Sequence, residues 1–466
     1  MGAAVATLTL LAPTHALAGR APSPSPRAHL LAHSGHGHAV VEALGSKLPA
    51  AATTNRMSET KLRGILERDP SAWIGQDGQL FYVEPAEQLL GPVGTVAGAA
   101  TASYPESQTF TLHSLPGSAH TIYLDFDGAT VSGTWWNTNG GMPSRFYTGF
   151  TLDSDATTFT SAEKAYIQTV WRIVAEKYAP FDIDVTTEKP AGSKLTRKDA
   201  ADQVYGTTVL ITNHNGVYDC ECGGVAYVGV FDAIGDFYKP ALVFWDMLGS
   251  GNEKYVAEAI SHEAGHNLGL SHDGYSGGGY YPGHGEGETG WAPIMGVGYY
   301  KNTVQWSMGE YETANNHEDD FVVVGNNGGP LRVDDHGNSA GSATALTTTP
   351  DGPNLKVSGA GVIERRKDKD YFSFTAGAGA VSIDVLPDAR SANLDVSLKL
   401  LDSTGNVVAK AKPKAVLAAT IETTLPAAGT YYLVVDGVGV GNPLDTGYSD
   451  YGSLGQYGIK GTVPAP

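Results

Sequence analysis

The sequence predicts two folded units in series, an α+β domain built on a mixed sheet and then an all-β sandwich. The first prediction rests on strand-like runs near residues 120–126 and 181–186, which flank a long helical pattern. The second rests on short apolar runs beyond residue 356, including KDYFSFTAG and AVSIDVLP, which Gly, Asn and Pro separate. With 466 residues, the chain is also too long for one ordinary core.

Clear signals mark the helices of the first unit. Thr160 and Glu163 form a capping-box pattern before the run AEKAYIQTVWRIVAEKYA, and Pro180 marks where that helix must end. A second helix is predicted from about Asn252. Further strand-like runs lie at residues 207–212, 224–231 and 241–245.

The charge of the chain excludes some partners. Acidic residues number 49 and basic residues 30, so the formal net charge is −19. A field of this sign repels phosphate, which argues against nucleic acids and anionic membranes as partners. No apolar run beyond the first residues approaches the ~20 residues of a membrane-spanning helix, so we expect no membrane insertion.

The N-terminus resembles an export signal. An apolar stretch ends in Ala16, Leu17 and Ala18, a small-x-small pattern that predicts a signal peptide over residues 1–18. The basic residues usual at the start of such signals are missing before Gly19. Because of the apolar stretch and the small-x-small pattern, we nevertheless expect a secreted protein.

Residues 19–105 are predicted to be a poorly packed pro-segment, because Ala, Ser, Pro and Gly dominate them and apolar periodicity is weak. One short helix is predicted there, over NRMSETKLRGILERD. The stretch HSGHGH contains His33, His36 and His38. These histidines could bind a metal, but a solvated low-complexity segment is the favoured interpretation. The units that follow are predicted at 106–330 (α+β domain), 331–355 (linker) and 356–466 (sandwich).

The stretch SHEAGHNLGLSH, from Ser261 to His272, concentrates the residues that carry chemistry. His262 and His266 are four positions apart, which places them within about 40° on a helix and lets both imidazoles reach one ion. Gly269 lies where the helix must end and turn, a position that favours positive φ. The turn returns His272 as a third ligand.

Three neutral imidazoles leave the fourth position of a tetrahedral zinc ion open for water, as in catalytic rather than structural sites. Zinc is preferred because softer metals favour thiolates, whereas calcium and magnesium favour oxygen ligands. Glu263 projects beside the ion, where its carboxylate can accept a proton from the attacking water. A chance match at all five positions is expected in only about one chain in ten thousand.

A second motif makes a resemblance specific. Met295 follows His272 by 23 positions, in the turn Pro-Ile-Met-Gly. The histidine motif followed by this turn resembles the metzincin clan of zinc endopeptidases. The resemblance implies an α+β metzincin-like catalytic domain, with a mixed sheet and an active-site helix, in which His262, His266 and His272 bind one catalytic zinc ion. It also implies Glu263 as general base and Met295 in a Met-turn below the metal.

The chain departs from the clan's pattern at two places. Val297 occupies the position at which some subfamilies have a tyrosine that approaches the metal, and Tyr299 and Tyr300 come later. Many related secreted enzymes are kept inactive by a pro-segment cysteine. No cysteine precedes Cys220 here, so any latency must use another ligand.

Three features near the motif stay open. The run CGGVAYVGVF resembles the clan's edge strand, which can pair with an extended peptide, although an ordinary half-buried strand explains it equally well. Cys220 and Cys222 suit a disulfide, a metal site or free thiols. Asp273 either orients His272 or, as the favoured interpretation, is an exposed turn carboxylate.

The C-terminal unit resembles the bacterial pre-peptidase C-terminal (PPC) domain, a β-sandwich of secreted proteases. The resemblance rests on DKDYFSFTAGAG, LDVSLKLLDSTGNVVA and GTYYLVVDGVGVG. Acidic residues in and before this unit are candidate calcium ligands, with solubility of surface turns as the alternative. They are Asp334, Asp335, Asp368 and Asp370.

Together these features predict a secreted zinc metalloendopeptidase, a monomer that hydrolyses peptide bonds in protein or peptide substrates by metal-activated water with Glu263 as base. Two alternatives stay open. One is a catalytically silent adhesin or binding module with the protease fold, and the other is a zinc amidase that acts on cell-wall peptide. Glu263 and the three ligands argue against the first, because a decayed site is expected to lose one of them.

Overall fold

The computed structural model describes residues 29–86, 103–153, 155–218 and 220–466, so the predicted signal peptide lies outside the described residues. In the first unit the strands are β1 (Gly35–His36), β2 (Ala72–Ile74), β3 (Leu80–Pro85), β4 (His120–Asp125), β5 (Gly128–Val131), β6 (Arg145–Thr148), β7 (Asp184–Thr186), β8 (Tyr205–Thr212), β9 (Cys222–Tyr227), β10 (Ala241–Phe244), β11 (Trp291–Pro293) and β12 (Thr303–Gln305). The helices are α1 (Gly37–Leu44), α2 (Leu48–Thr54), α3 (Glu59–Arg68), α4 (Trp135–Thr138), α5 (Ser161–Lys177), α6 (Glu253–Asn267) and α7 (Asp320–Asn326).

An eight-stranded sheet organises the first unit, in the order β1-β2-β3-β9-β10-β8-β4-β7. The pairs from β10 through β8 and β4 to β7 are parallel, whereas β9 pairs antiparallel with both β10 and β3. The predicted mixed sheet is therefore confirmed. The strand-like runs of the sequence correspond to β4, β7, β8, β9 and β10, whereas β1 to β3 were not predicted.

Helices α5 and α6 both contact the sheet and each other. The capping box at the start of α5 is confirmed, because the Thr160 side chain accepts from the Glu163 N–H while the Glu163 carboxylate accepts from the Thr160 N–H. Asn252 caps α6, as predicted. The Tyr178 hydroxyl donates to the Ser261 carbonyl at 2.8 Å and joins the two helices. Among the residues that the structure describes, no helix has both the length and the apolar character that crossing a membrane requires.

Residues 30–86, here called the N-terminal segment, form a well-packed unit, so the predicted poor packing is wrong for them. The apolar side chains of α1 to α3, β2 and β3 share one core with Val228. Leu48, Leu62 and Leu66 are fully buried in it. These leucines are widely spaced in an Ala-, Thr- and Gly-rich sequence. The local density of large apolar residues is therefore low, and the sequence pattern did not predict this core.

Two smaller predictions fall within the N-terminal segment. The predicted short helix is confirmed as α3, which Ser58 caps by accepting from the Lys61 N–H at 3.1 Å. The stretch HSGHGH runs through β1 into α1, and His36 packs on Trp73 with ring centroids 4.2 Å apart. Within the described residues, this stretch belongs to none of the side-chain clusters that could hold a metal.

The C-terminal unit consists of two five-stranded sheets, with orders β13-β16-β21-β18-β19 and β14-β15-β22-β17-β20. The predicted all-β sandwich is confirmed, although β13, β14 and β15 begin within residues 331–355, which were predicted to be a linker. The strands are β13 (Thr344–Ala345), β14 (Thr347–Asp351), β15 (Asn354–Ile363), β16 (Lys369–Ala376), β17 (Gly379–Pro387), β18 (Val396–Asp402), β19 (Val407–Ala411), β20 (Ala419–Leu425), β21 (Gly429–Gly437) and β22 (Gly455–Pro464). Buried residues alternate along β16, as the period of a strand requires.

A buried lysine joins the two units. Lys177, at the end of α5, is fully buried, and its ammonium donates to Val304 O at 2.9 Å, Ser391 Oγ at 2.9 Å and Asn393 Oδ1 at 2.9 Å. The carboxylate of Glu258 lies 3.6 Å away. Because a buried ammonium is costly unless it is paired and hydrogen-bonded, these acceptors hold the sandwich in one position against α5.

We predict that Lys177→Ala lowers the free energy of unfolding by about 3 kcal/mol, because it removes the buried ammonium that donates to Val304 O, Ser391 Oγ and Asn393 Oδ1. The measurement is urea unfolding. Lys164→Ala is the matched control on the same helix, since Lys164 pairs with the exposed Glu106 at 3.3 Å. Its effect should stay within about 0.5 kcal/mol. Equal effects of the two substitutions would contradict the prediction.

Candidate metal centre

The structure brings His262, His266 and His272 together. The first two lie one turn apart on α6, and Gly269 has φ +98°, which ends the helix and returns the chain toward it. His266 Nε2 and His272 Nε2 are 3.1 Å apart, and the ring centroid of His262 lies 4.7 Å from that of His266. A Cβ at position 269 would also lie 2.3 Å from the Asn327 side chain, so only glycine fits this turn.

Each of the three imidazoles is held through its Nδ1 atom. His262 Nδ1 donates to Ile294 O at 2.9 Å, and His266 Nδ1 donates to Leu270 O at 2.8 Å. The Nδ1 atom of His272 contacts Asp69 Oδ2 at 2.6 Å. Such bonds fix both ring orientation and tautomer, so all three Nε2 atoms face one point. Three buried imidazole nitrogens that converge on one point fit a zinc ion.

Glu263 lies beside this point and is almost fully buried, at 1% exposure. Its carboxylate packs against the backbone of β9, where a Cβ at Gly224 would lie 2.1 Å from Glu263 Oε1. Within the described residues Glu263 Oε2 has no hydrogen-bond partner. The base predicted from the sequence is therefore next to the three imidazoles, with one oxygen free to take a proton.

Met295 lies under α6 and is fully buried. A Cβ at Gly265 would lie 2.7 Å from Met295 Sδ, so the helix and the Pro-Ile-Met-Gly turn touch where Gly265 has no side chain. The Met295 carbonyl accepts from the Asp273 N–H at 2.8 Å, which ties the turn to the residue after His272. Tyr299 borders the cavity beside Glu263.

Three residues of this site were not predicted from the sequence. Glu84 on β3 points its Oε1 atom into the imidazole cluster, 2.9 Å from His272 Nε2, 3.3 Å from His266 Nε2 and 3.8 Å from His262 Nε2. Tyr280 donates to Glu84 Oε2. Asp69 is the third, and it belongs to the site because its carboxylate contacts His272 Nδ1. The one available signal was the strand-like run LFYVEP around Glu84, which stands out from the Ala- and Gly-rich sequence.

The two carboxylates at the centre have opposite charge preferences. Burial, followed by the charge of Glu84, raises the pKa of Glu263 well above its usual range. Burial opposes ionisation of Glu84 too, but His272 and hydrogen bonds with the imidazoles hold its pKa well below the usual range. Burial lowers the pKa of His266 to about 4, whereas Glu84 and Asp69 outweigh burial and raise the pKa of His272 to about 10. Such divergence is typical of functional sites.

The interpretation of Asp273 as an exposed turn carboxylate is wrong. Its exposure is 1%, and within the described residues its Oδ2 atom has no partner. Burial, with the charge of Glu318, raises the pKa of Asp273 to about 8. The carboxylate that contacts the Nδ1 atom of His272 is that of Asp69, which lies far away in the sequence. Proximity in sequence was therefore misleading about which acid orients this imidazole.

Strand β9, which the sequence analysis compares with an edge strand, has neighbours on both sides. β10 pairs with it on one side and β3 on the other, with Glu84 opposite Gly224. Cys220 and Cys222 form a disulfide at its start. The strand that borders the histidines is therefore covered by a strand of the N-terminal segment.

The acidic residues named in the C-terminal half also come together. Ligand oxygens of Asp334, Asp335 and Asp370 lie within 4.8 Å of one another, as do those of Asp334, Asp368 and a residue not predicted, Glu364. Glu364 and Asp370 are fully buried. Both oxygens of Glu364, Oδ1 of Asp368 and Oδ1 of Asp370 have no hydrogen-bond partner in the described part of the chain. Burial raises the pKa of Glu364 to about 9 and that of Asp370 to about 8.

Comparison with known proteins decides what kind of domain holds the histidines. The model of the family M12B reprolysin-like metallopeptidases matches residues 164–273, a range that includes the whole histidine motif. The chain contains a reprolysin-like metallopeptidase domain. The model of the bacterial pre-peptidase C-terminal domain matches residues 368–437, within the sandwich. Both resemblances drawn from the sequence are therefore confirmed, and the reprolysin-like metallopeptidase domain precedes a PPC domain.

Solved structures add little to this assignment. The PPC domain of a collagenase from Bacillus anthracis is 17% identical, with 26% of this chain and 97% of that chain covered and a TM-score of 0.18. The periplasmic lysozyme inhibitor PliG of Aeromonas hydrophila is 10% identical, with coverage of 26% and 94% and a TM-score of 0.18. At these TM-scores neither similarity supports an inference about activity. No curated protein matches the chain.

We predict that the metallopeptidase domain binds one zinc ion and that His272→Ala lowers the zinc affinity at least about 100-fold, because one of three converging nitrogens is lost. Competition with a chromophoric chelator measures the affinity. His317→Ala is the control, since His317 is exposed and lies outside the cluster. Unchanged zinc affinity in His272→Ala would exclude His272 as a ligand.

Proposed function

We propose that the protein is a secreted zinc-dependent endopeptidase with a metzincin-like catalytic domain. The observation that carries this proposal is the convergence of three Nε2 atoms, each held through Nδ1, beside the buried carboxylate of Glu263. The reprolysin-like match over the same residues supports peptide-bond hydrolysis. The small-x-small pattern near the N-terminus and the PPC domain support secretion.

In this proposal His262, His266 and His272 hold one zinc ion. When bound, zinc supplies a Lewis acid that polarises the scissile carbonyl and lowers the pKa of a coordinated water. Glu263 accepts the proton of the attacking water and later delivers it to the leaving amine. Gly224 leaves the space that the Glu263 carboxylate needs, and Met295 supports α6 from below at Gly265.

Glu263 suits this role because of its surroundings. It is buried and its Oε2 atom has no hydrogen-bond partner in the described residues, so no competing donor holds it. Burial favours the protonated form of a carboxyl group, which makes the carboxylate a stronger base than it is in water. A base of raised pKa is what proton transfer from water near neutral pH requires.

We predict that Glu263→Gln lowers casein cleavage about 10²–10⁴-fold while zinc content stays unchanged, because the proton acceptor is lost but the ligands stay. The assay is run on the intact chain and on a chain cut within residues 87–102, with and without a chelator. Glu286→Gln is the control, since the Glu286 side chain is 96% exposed. Persisting cleavage in Glu263→Gln would refute the mechanism, and zinc-loaded wild type inactive in both forms would favour the binding module.

We also propose a calcium ion at the junction with the sandwich, held by Asp334, Asp335, Asp368 and Asp370, with Glu364 added. Carboxylate oxygens are the ligands that calcium prefers. The support is the set of buried carboxylate oxygens with no hydrogen-bond donor among the described residues. Several buried like charges cannot ionise together without a cation, so a divalent ion of this kind would stabilise the fold.

We predict that calcium raises the unfolding temperature of the zinc-loaded, calcium-free protein by roughly 5–10 °C at 100 times its Kd, since binding there contributes about 2.7 kcal/mol. Differential scanning fluorimetry measures the shift. Asp370→Asn should remove most of it, whereas Asp351→Asn, an exposed position on β14, should retain it. A full calcium shift in Asp370→Asn would contradict the assignment.

A further inference from the structure

The N-terminal segment lies directly over the metal centre. Strand β3 pairs antiparallel with β9, with Tyr82 opposite Ala226 and Glu84 opposite Gly224. The Tyr82 ring stacks on His266 with centroids 4.3 Å apart and contacts His272 at 4.0 Å. Strand β3 thus occupies the side of β9 to which an extended peptide would add.

Glu84 takes the position that a catalytic centre leaves open. Its Oε1 atom lies within 2.9–3.8 Å of the three Nε2 atoms, and its side chain is 7% exposed. Three imidazoles and one carboxylate complete a tetrahedral zinc shell, which is the closed arrangement of structural sites. Tyr280 donates to the second oxygen of Glu84, so the carboxylate is held in this direction.

Little space is left for a substrate while β3 is in place. The cavity bounded by Glu84, His262, Glu263 and Tyr299 has a volume of about 10 Å³. This is the lower limit for one water molecule and excludes a peptide. Because the group at the metal position is a side-chain carboxylate rather than a peptide carbonyl, β3 can lie there without being cleaved.

Contacts remote from the metal hold the segment down. Arg56 pairs with Asp232 at 2.8 Å and donates to Asn327 at 3.0 Å, and Lys61 pairs with Glu318. Beneath them, the core of α1 to α3 continues into Val228. The segment is therefore a folded cover with its own core and not a loose strand.

From this geometry we propose that the N-terminal segment keeps the intact chain latent, with Glu84 as the fourth ligand of the metal. The inference rests on the proposed zinc endopeptidase function. Loss of the Glu84 carboxylate opens the fourth position to water. A cut that lets the segment leave opens the same position and also frees β9 for substrate.

The test uses the intact chain loaded with Co²⁺ and titrated with acetohydroxamate, a small metal-binding molecule, with the visible spectrum as readout. We expect acetohydroxamate to bind Glu84→Ala roughly 100-fold more tightly than wild type. This factor corresponds to a wild type in which the fourth metal position is open in about 1% of molecules. Glu84→Gln, which keeps the side-chain volume and an acceptor for Tyr280, should behave like Glu84→Ala. Glu59→Ala, an exposed change on α3 of the same segment, should behave like wild type.

A second measurement separates this inference from the proposed function. A recognition sequence for a site-specific protease replaces part of residues 87–102, and casein cleavage is compared before and after the cut. If acetohydroxamate binds wild type as tightly as it binds Glu84→Ala and Glu84→Gln, closure by Glu84 is refuted, whatever the cleavage assay shows. If those variants open the metal but no form cleaves casein, the closure stands and the endopeptidase proposal fails.

Discussion

The site depends on how the Nδ1 atoms of three histidines are held. Each is bonded to an oxygen from a different part of the chain: the carbonyl before Met295, the carbonyl after Gly269, and the carboxylate of Asp69. These bonds orient the rings and leave every Nε2 atom facing the same point. The Met-containing turn, the glycine turn and the N-terminal segment are therefore all coupled to the metal centre.

Buried charge is the second constraint, since Glu84 on β3 and Glu263 on α6 approach the same point. Two carboxylates in one dry site cannot both ionise at low cost, and their pKa values are accordingly driven apart. A bound divalent cation would balance the charge of Glu84 and lower the cost of ionising Glu263. The same reasoning applies to Glu364 and Asp370, which lie buried near other acids.

The features that could be predicted from the sequence are those that local residue patterns determine. The spacing of His262, His266 and Gly269, the caps of α5 and α6 and the alternation of the sandwich strands are properties of short windows, and all are present in the structure. Asp69 and Glu84 reach the site from 203 and 188 positions before His272. Nothing in a single sequence links such distant residues, and an Asp or Glu is too common to stand out. Residues 30–86 were misjudged for a related reason, because their few leucines lie in an Ala-rich sequence.

The folded state of the N-terminal segment explains how one carboxylate could hold a zinc site closed. A free carboxylate competes poorly with water, but tethering through Arg56, Lys61 and the core of α1 to α3 gives Glu84 a high effective concentration at the metal. A weak ligand then suffices while the chain is intact. A cut within residues 87–102 leaves these contacts in place but makes the segment dissociable, so its departure rather than any change in Glu84 itself would release the site. The same cut would take Asp69 from His272, which leaves the third ligand to find another acceptor for its Nδ1–H.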